Sequence, residues 1–331
     1  MMLSRVAESL FWIGRYMERA ENVARLVDAA RRMAALPHDA GRPLSNEWAS
    51  ILIAAGVREV YGPSIERADQ GAAIDQLIFD RQNPSSVYNC FKTARENARA
   101  VRFALTSDCW TALNAAWSEM RVLTVADTQG AGLADVIDWI KAQSALFRGA
   151  MQATMLRDDG YSFLRIGAAI ERTDSTARLL DVKYHVLLPS LSEVGSAADY
   201  YQWVSLLQAA AAQRAYTYVR HDDVTARGVA EFLILEPSFP RTVLVNARQI
   251  RKTLVELEVF YNRSAPCRAS VDEFVNTIET RTIDDIFAFG LHEFLTSVIE
   301  RNYEVANLVA QAYGFAPRIA DTQGDDSPDT Q

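Results

Sequence analysis

The sequence is poor in the residues that staple a fold or catalyse alone. Its three cysteines, Cys90, Cys109 and Cys267, form no CxxC pair. A disulfide framework and a zinc ribbon both lack their residues, and a reducing cytoplasm is the expected compartment. Of the four histidines, His38, His185, His221 and His292, none stands three residues after a glutamate. The Glu-x-x-His pairs of a di-iron bundle are therefore missing, and no metal is expected. The 15 glycines are scattered, with no GxxxxGK[ST] loop to cradle phosphate and no GxSxG elbow for a serine nucleophile. No cofactor is expected. His221-Asp222-Asp223 reads as a solvated acidic turn.

Excess positive charge is missing too. Lys and Arg number 34 against 42 Asp and Glu, a formal net charge of -8 and a pI near 5.2. Phosphate-backbone binding needs clustered Lys and Arg in excess, so no nucleic-acid partner is expected. No stretch approaches the roughly 18 apolar residues of a membrane span. The N-terminal apolar pattern is broken by Arg5 and Glu8, unlike a signal-peptide core. The expectation is a cytoplasmic chain with no membrane partner.

What the chain does hold, it holds twice. FWIGRYMERAENVARLVD (Phe11 to Asp28) and FLRIGAAIERTDSTARLLD (Phe163 to Asp181) align when shifted by 153 positions. Gly14 then falls on Gly167, Glu18 on Glu171, Arg19 on Arg172, Glu21 on Asp174, Arg25 on Arg178 and Asp28 on Asp181. The identities are polar residues and glycine, whereas a helix that only packs needs just its apolar pattern. Trp203 in WVSLL matches Trp48 in WASIL, and LILEPSFPRTV matches LIFDRQNPSSV, in the same order. These anchors indicate an internal duplication, with residues 1–160 as a first helical unit, 161–316 as a second packed on it, and 317–331 as a disordered acidic tail. ERNYEVANLV (Glu300 to Val309) is a partial third echo, with Asn307 in the place of Arg25.

Apolar positions Val6, Leu10, Ile13, Met17, Ala20, Ala24 and Val27 alternate steps of four and three, the seam of a long packed helix. Phe11, Gly14, Glu18, Glu21, Arg25 and Asp28 form a second stripe beside it. Pro37 ends this helix, and 36–44 and 189–196 read as loops. Further helices are expected from Glu47 to Tyr61 with Ser45 as cap, from Ser85 through AREN and ARAVRFAL, after the Thr106–Asp108 cap, and from Leu133 to Leu156. Asp158, Asp159 and Gly160 close the first half. FLILE (Phe232 to Glu236) is open to a strand, yet its partner LIFD lies in helical surroundings. The fold expected is all-α: an internally duplicated, antiparallel bundle of long helices.

Two readings of the charged stripes stand side by side. In one, Glu18, Arg25, Glu171 and Arg178 pair across packed helices and fix register, because charges near a core must be paired. In the other, the stripes face each other and line a polar groove. Its arginines (Arg19, Arg25, Arg172, Arg178) would grip a carboxylate or phosphate, the glutamates would orient them, and Gly14 and Gly167 would permit close approach. Glu18 and Glu171 are then also the candidate general bases. Arg241, after Pro240 at a helix start, is a further anion contact, and DVKYH (Asp181, Lys183, His185) could extend the groove. The tryptophans Trp12, Trp48, Trp110, Trp117, Trp139 and Trp203 read as core or helix-contact residues rather than a ligand cage.

On LSRVAESLFWIGRYMERAENVARL, NPSSVYNCFKTARENARAVR, IERTDSTARLLDVKYHVLLP and VAEFLILEPSFPRTV, the sequence resembles the alpha-E domain family, bacterial helical proteins with a recurring Glu-Arg motif. The resemblance covers nearly all of the chain except its tail. It implies a setting beside circularly permuted ATP-grasp ligase-like proteins and transglutaminase-fold peptidases, and hence peptide or amide chemistry. The expectation is a helical partner of an ATP-grasp ligase that shapes a surface for the ligase or a peptide substrate. A pathway enzyme and a purely structural scaffold are the alternatives, and a homo-oligomer is left open.

Overall fold

Helix α1 (Ser4–Ala34) runs 31 residues with no proline and a single glycine, so nothing in its interior breaks the hydrogen-bond ladder. Its seam is buried as expected, but so is most of the rest: Glu18, Glu21 and Asp28 are all under 5% exposed. The second stripe is therefore interior, enclosed by other helices on that side as well. Helix α7 (Asp159–Leu187), the second copy, packs along α1 as the other half of the centre. Phe11 lies beside Gly167 and Glu18 beside Arg172, so the two central helices advance in the same direction.

The computed structural model describes residues 2–35, 46–57, 65, 67–187 and 197–315. Among these there is no β-strand, and the protein is an all-α, internally duplicated bundle. Around α1 pack α4 (Val87–Ala100) and α6 (Gly132–Thr154), with α5 (Ser107–Met120) bridging them. Around α7 pack α11 (Val243–Tyr261) and α14 (Leu291–Ala312), with α12 (Arg268–Glu279) in the corresponding place. Within each set the long neighbours run antiparallel to their central helix: Met17 and Asp28 face Ser144 and Lys141 on α6, and Ile170 and Asp181 face Asn302 and His292 on α14. Two of these bonds are counterparts. Ser144 donates to the Met17 carbonyl at 3.0 Å, and Asn302 to the Ile170 carbonyl at 2.9 Å.

The shorter helices cross between the halves. Helix α2 (Glu47–Ala54) rests on both α1 and α7, and α8 (Ala197–Ala209) does the same from the other side. Helix α3 (Gln70–Ile74) runs into a wide π-turn at Asp75–Phe79. Helices α9 (Gln213–Arg220), α10 (Ala226–Leu235) and α13 (Ile283–Phe289) complete the second half.

Several local expectations need correction. FLILE is helical up to Leu235, in α10, which starts where the Thr225 hydroxyl caps the Gly228 amide; a short apolar run has no period that separates strand from helix. Asn46 caps α2, accepting from Ala49, and the helix ends at Ala54 rather than Tyr61; Ser45 and 58–61 lie outside the described residues. The cap of α4 is Ser86, not Ser85, and a 3-10 turn over Arg102–Ala104 replaces its expected last turn. Asp159 and Gly160 open α7 instead of closing the first half. Helix α6 and the Thr106 cap fall within two residues of expectation. The loops at 36–44 and 189–196 and the tail from 317 lie outside the described residues.

Candidate functional site

The two Glu-Arg pairs are exchanged between the central helices. Glu18 on α1 accepts from Arg172 on α7, Nε to Oε1 at 2.8 Å and Nη2 to Oε2 at 2.5 Å. Glu171 on α7 accepts from Arg19 on α1, Nε to Oε1 at 2.6 Å and Nη2 to Oε2 at 3.0 Å. Each acid thus takes the two-pronged grip of the arginine that follows its counterpart, the strongest geometry available to this pair. Gly14 and Gly167 allow the helices to come this close. A Cβ at Gly14 would overlap the Leu164 carbonyl oxygen, and one at Gly167 would overlap that of Phe11.

Further guanidinium groups close in on the acids. Glu18 also accepts from Arg148 on α6 at 3.1 Å and from Arg241 at 3.2 Å. Glu21 accepts from Arg25 at 2.6 Å, from Arg148 at 2.6 Å and from Arg241. Glu171 accepts additionally from Arg15 at 2.9 Å. Burial works to raise the Glu18 carboxyl, but Arg172, Arg241 and Arg148 outweigh it and hold it well below the usual range. At Glu171 burial is likewise outweighed, by Arg19 and Arg15, and its carboxyl falls to about 2. Glu21 is lowered too, against both burial and the neighbouring Glu18, by Arg241, Arg25 and Arg148. Burial pulls Arg241 down to about 10, with Arg25 and Arg172 adding repulsion, so it is charged at neutral pH.

Arg25 and Arg178 play matched parts, but not the part expected of them. Neither meets Glu18 or Glu171. Arg25 pairs with Glu21 one turn back and donates to the Ala209 carbonyl of α8 at 2.7 Å. Arg178 pairs with Asp174 one turn back and donates to the Ala54 carbonyl of α2 at 3.3 Å. Each arginine thereby satisfies a C-terminal carbonyl of the short helix from the opposite half.

Arg241 is not free for an anion, because its guanidinium is already held by Glu18 and Glu21. DVKYH does not extend the site. Asp181 pairs with His292 at 2.6 Å, and Lys183 turns to Asp199 and Gln202; the His185 side chain lies outside the described residues. Asp28 forms a separate cluster with Arg31, Arg32 and Lys141. Sequence reading missed Arg15, Arg148, Ser85 and Asn22. For Arg148 a signal exists: Lys141, Ser144 and Arg148 form a polar stripe at steps of three and four, and all three face α1.

The two sides of this core differ in openness. On the Glu171 side lies a cavity of about 410 Å³, walled by Trp12, Arg15, Arg19, Asn22, Ser85 and Arg178 among others. The Glu18 side has only about 130 Å³. One substitution between the copies bears on a third space, of only about 10 Å³, that Arg241 helps to wall. Arg241 aligns with Ser85, and where Arg241 reaches across to Glu18 and Glu21, Ser85 leaves space beside Arg19 at 3.3 Å.

No group of three or more His, Cys, Asp or Glu among the described residues could hold a metal ion. None of their helices is long and apolar enough to cross a membrane. Three relatives, an uncharacterised protein of Mycobacterium bovis and two of Mycobacterium tuberculosis, are 27 to 28% identical over 319 residues. The match takes in 89% of this chain but only 35% of each relative, so the chain spans about a third of their length. No solved structure matches. Residues 2–313 match the Alpha-E family, described as a predicted alpha-helical domain with a conserved ER motif, the dipeptide that Glu18-Arg19 and Glu171-Arg172 carry here, and the chain belongs to that family.

Proposed function

We propose that the protein is a non-catalytic helical module that works with an ATP-grasp ligase, offering a binding surface to the ligase or to its peptide substrate. The observation that carries the non-catalytic part is the capture of both motif glutamates by arginines. Glu18 and Glu171 each accept at least three N–H bonds from guanidinium groups and sit below the usual carboxylate range. A general base needs a pKa near the working pH, and both carboxylates are held far below it.

The mycobacterial relatives support the partner reading, since in them the same region occupies about a third of a longer polypeptide. The ligase as partner rests on the family resemblance. In this reading 1–160 and 161–316 are two units that fold as one body, because each completes the other's ion pairs. Three buried free thiols, Cys90, Cys109 and Cys267, support a cytoplasmic setting.

Co-expression with the neighbouring ATP-grasp protein, affinity capture and mass spectrometry of accumulating products form the test. Capture of the ligase, with product made only when both are present, is the expected result. Failure to capture it removes the partner. A Glu171→Gln protein that still assembles with the ligase while product formation stops would restore the enzyme alternative.

A further inference from the structure

The Glu171-side cavity has the makings of a ligand site that its counterpart lacks. Asn22 on its wall is 5% exposed, and its amide nitrogen and oxygen have no partner among the described residues. A buried amide left unsatisfied is costly, so a group that accepts from its Nδ2 is favoured there. Donors converge on the same space. Arg15 and Arg19 commit their Nε atoms to Glu171, while Arg15 Nη1 and Nη2 and Arg178 Nη2 have no hydrogen-bond partner among the described residues. Arg15 is stacked over Trp12, 4.9 Å from the ring centre, which fixes its plane at the cavity wall. Leu26, Leu77 and Ile299 give the rest of the wall an apolar character, the usual build of a small-molecule pocket.

Charge narrows the ligand. Arg15, Arg19 and Arg178 face Glu171, Asp174 and Glu300 around the cavity, so the lining is formally neutral. A polyphosphate would meet too little net positive charge, whereas one carboxylate needs only the free guanidinium edges. The smaller space beside Glu18 is a poorer site, because the side-chain amides of Asn246 and Gln249 there are already bonded.

We propose that this cavity binds a single carboxylate, carried by a small molecule or by the C-terminal end of a peptide, through Arg15, Arg178 and Asn22. Arg241 is the plug in the other half, where the space it walls with Ser175, Thr176 and Leu179 shrinks to about 10 Å³. The inference deepens the binding-module reading, but its test needs no ligase, so loss of partner capture and loss of carboxylate binding are separate results.

The test is calorimetric titration of the full chain with four probes: acetate, the dipeptide Ala-Ala, its C-terminal amide, and inorganic phosphate. Saturable 1:1 binding of Ala-Ala is expected, with the amide at least about tenfold weaker because it loses the charge-assisted bonds. Acetate binding as well as Ala-Ala assigns the carboxylate to a free small molecule; much weaker acetate binding assigns it to a peptide end. Ser85→Arg, which copies the plug of the other half, should abolish binding while the melting temperature holds. If Ser85→Arg does not fold, Asn22→Leu serves in its place, with at least about a tenfold loss expected. The proposal is overturned if no probe binds saturably, if the amide or phosphate binds as tightly as Ala-Ala, or if a folded Ser85→Arg or Asn22→Leu protein binds like the parent.

Discussion

Gly14 and Gly167 hold reciprocal positions, each pressed on the main chain of the helix that carries the other. Gly14 lies against the Leu164 carbonyl, Gly167 against the Phe11 carbonyl, and both pairs of positions are related by the same shift of 153. The obstruction in each case is backbone, which cannot rotate away. Gly14→Ala and Gly167→Ala should therefore each cost at the upper end of the ~1–3 kcal/mol typical of overpacking. Because both residues guard one crossing, the double variant should lose less than the sum. Denaturant unfolding of the three variants checks this, and additive losses would mean that the two contacts are independent.

Glu18 and Glu171 differ in how far each depends on the partner helix. Glu18→Gln leaves Arg172, Arg148 and Arg241 facing a neutral group beside Glu21, whereas Glu171→Gln frees only Arg19 and Arg15, which border an open cavity. Breaking a buried pair costs about 3–5 kcal/mol. Glu18→Gln is expected in that range and Glu171→Gln below it, because solvent in the cavity can take up the freed donors. Equal losses by equilibrium denaturation would contradict the difference in burial.

The protonation of Glu171 gives a pH signature. Its folded value of about 2 lies below the ordinary 4.5, so between these two the unfolded chain binds a proton that the folded chain does not. Stability from this group is complete above about pH 4.5 and is lost as pH falls toward 2. Unfolding curves from pH 2 to 6 should show stability rising with pH, and Glu171→Gln should flatten part of that rise. An unchanged slope in the variant would place the acid sensitivity elsewhere.

Much of this core is visible in the sequence, but not its wiring. Spacing alone gives the long helices and the in-helix pairs, and Glu21–Arg25 and Asp174–Arg178 form at four residues apart as such spacing favours. The shared glycines and Glu-Arg pairs reveal that two helices are specified alike. No local rule supplies the register in which distant helices cross, so the exchange of Glu18 to Arg172 and Glu171 to Arg19 is decided by tertiary packing. Arg241 shows the same limit. Its position marks a departure between copies that the aligned Ser85 already displays, yet a helix-start arginine looks solvated until the acids of another helix meet it.

Arg25 and Arg178 should respond unequally to truncation. The Arg25 bond to the Ala209 carbonyl is shorter and its side chain is 14% exposed, against 33% for Arg178 at the Ala54 carbonyl. A hydrogen bond from a charged group contributes about 1.5–3 kcal/mol when shielded, so Arg25→Ala should cost in that range and Arg178→Ala less. Hydrogen exchange should quicken at Ala210 and Ala212 in the first variant and at Ala55 and Val57 in the second. Unaltered exchange at those amides would separate the arginines from the helix ends.

Reversing a charge pair distinguishes a simple salt bridge from a network. If Glu18 and Arg172 were an isolated couple, Glu18→Arg with Arg172→Glu would restore most of the loss from either change alone. Here Arg148 and Arg241 also point at position 18, and the new arginine would meet both within a buried space where like charges are poorly screened. The new glutamate at 172 would stand on the wrong side of that repulsion and would lack the acceptor geometry that Glu18 offers to four N–H groups. The reversed protein is therefore expected to be no more stable than Glu18→Arg alone by thermal melting. Recovery to within about 1 kcal/mol of the parent, the scale of a pair acting by itself near a surface, would show that Arg148 and Arg241 are bystanders.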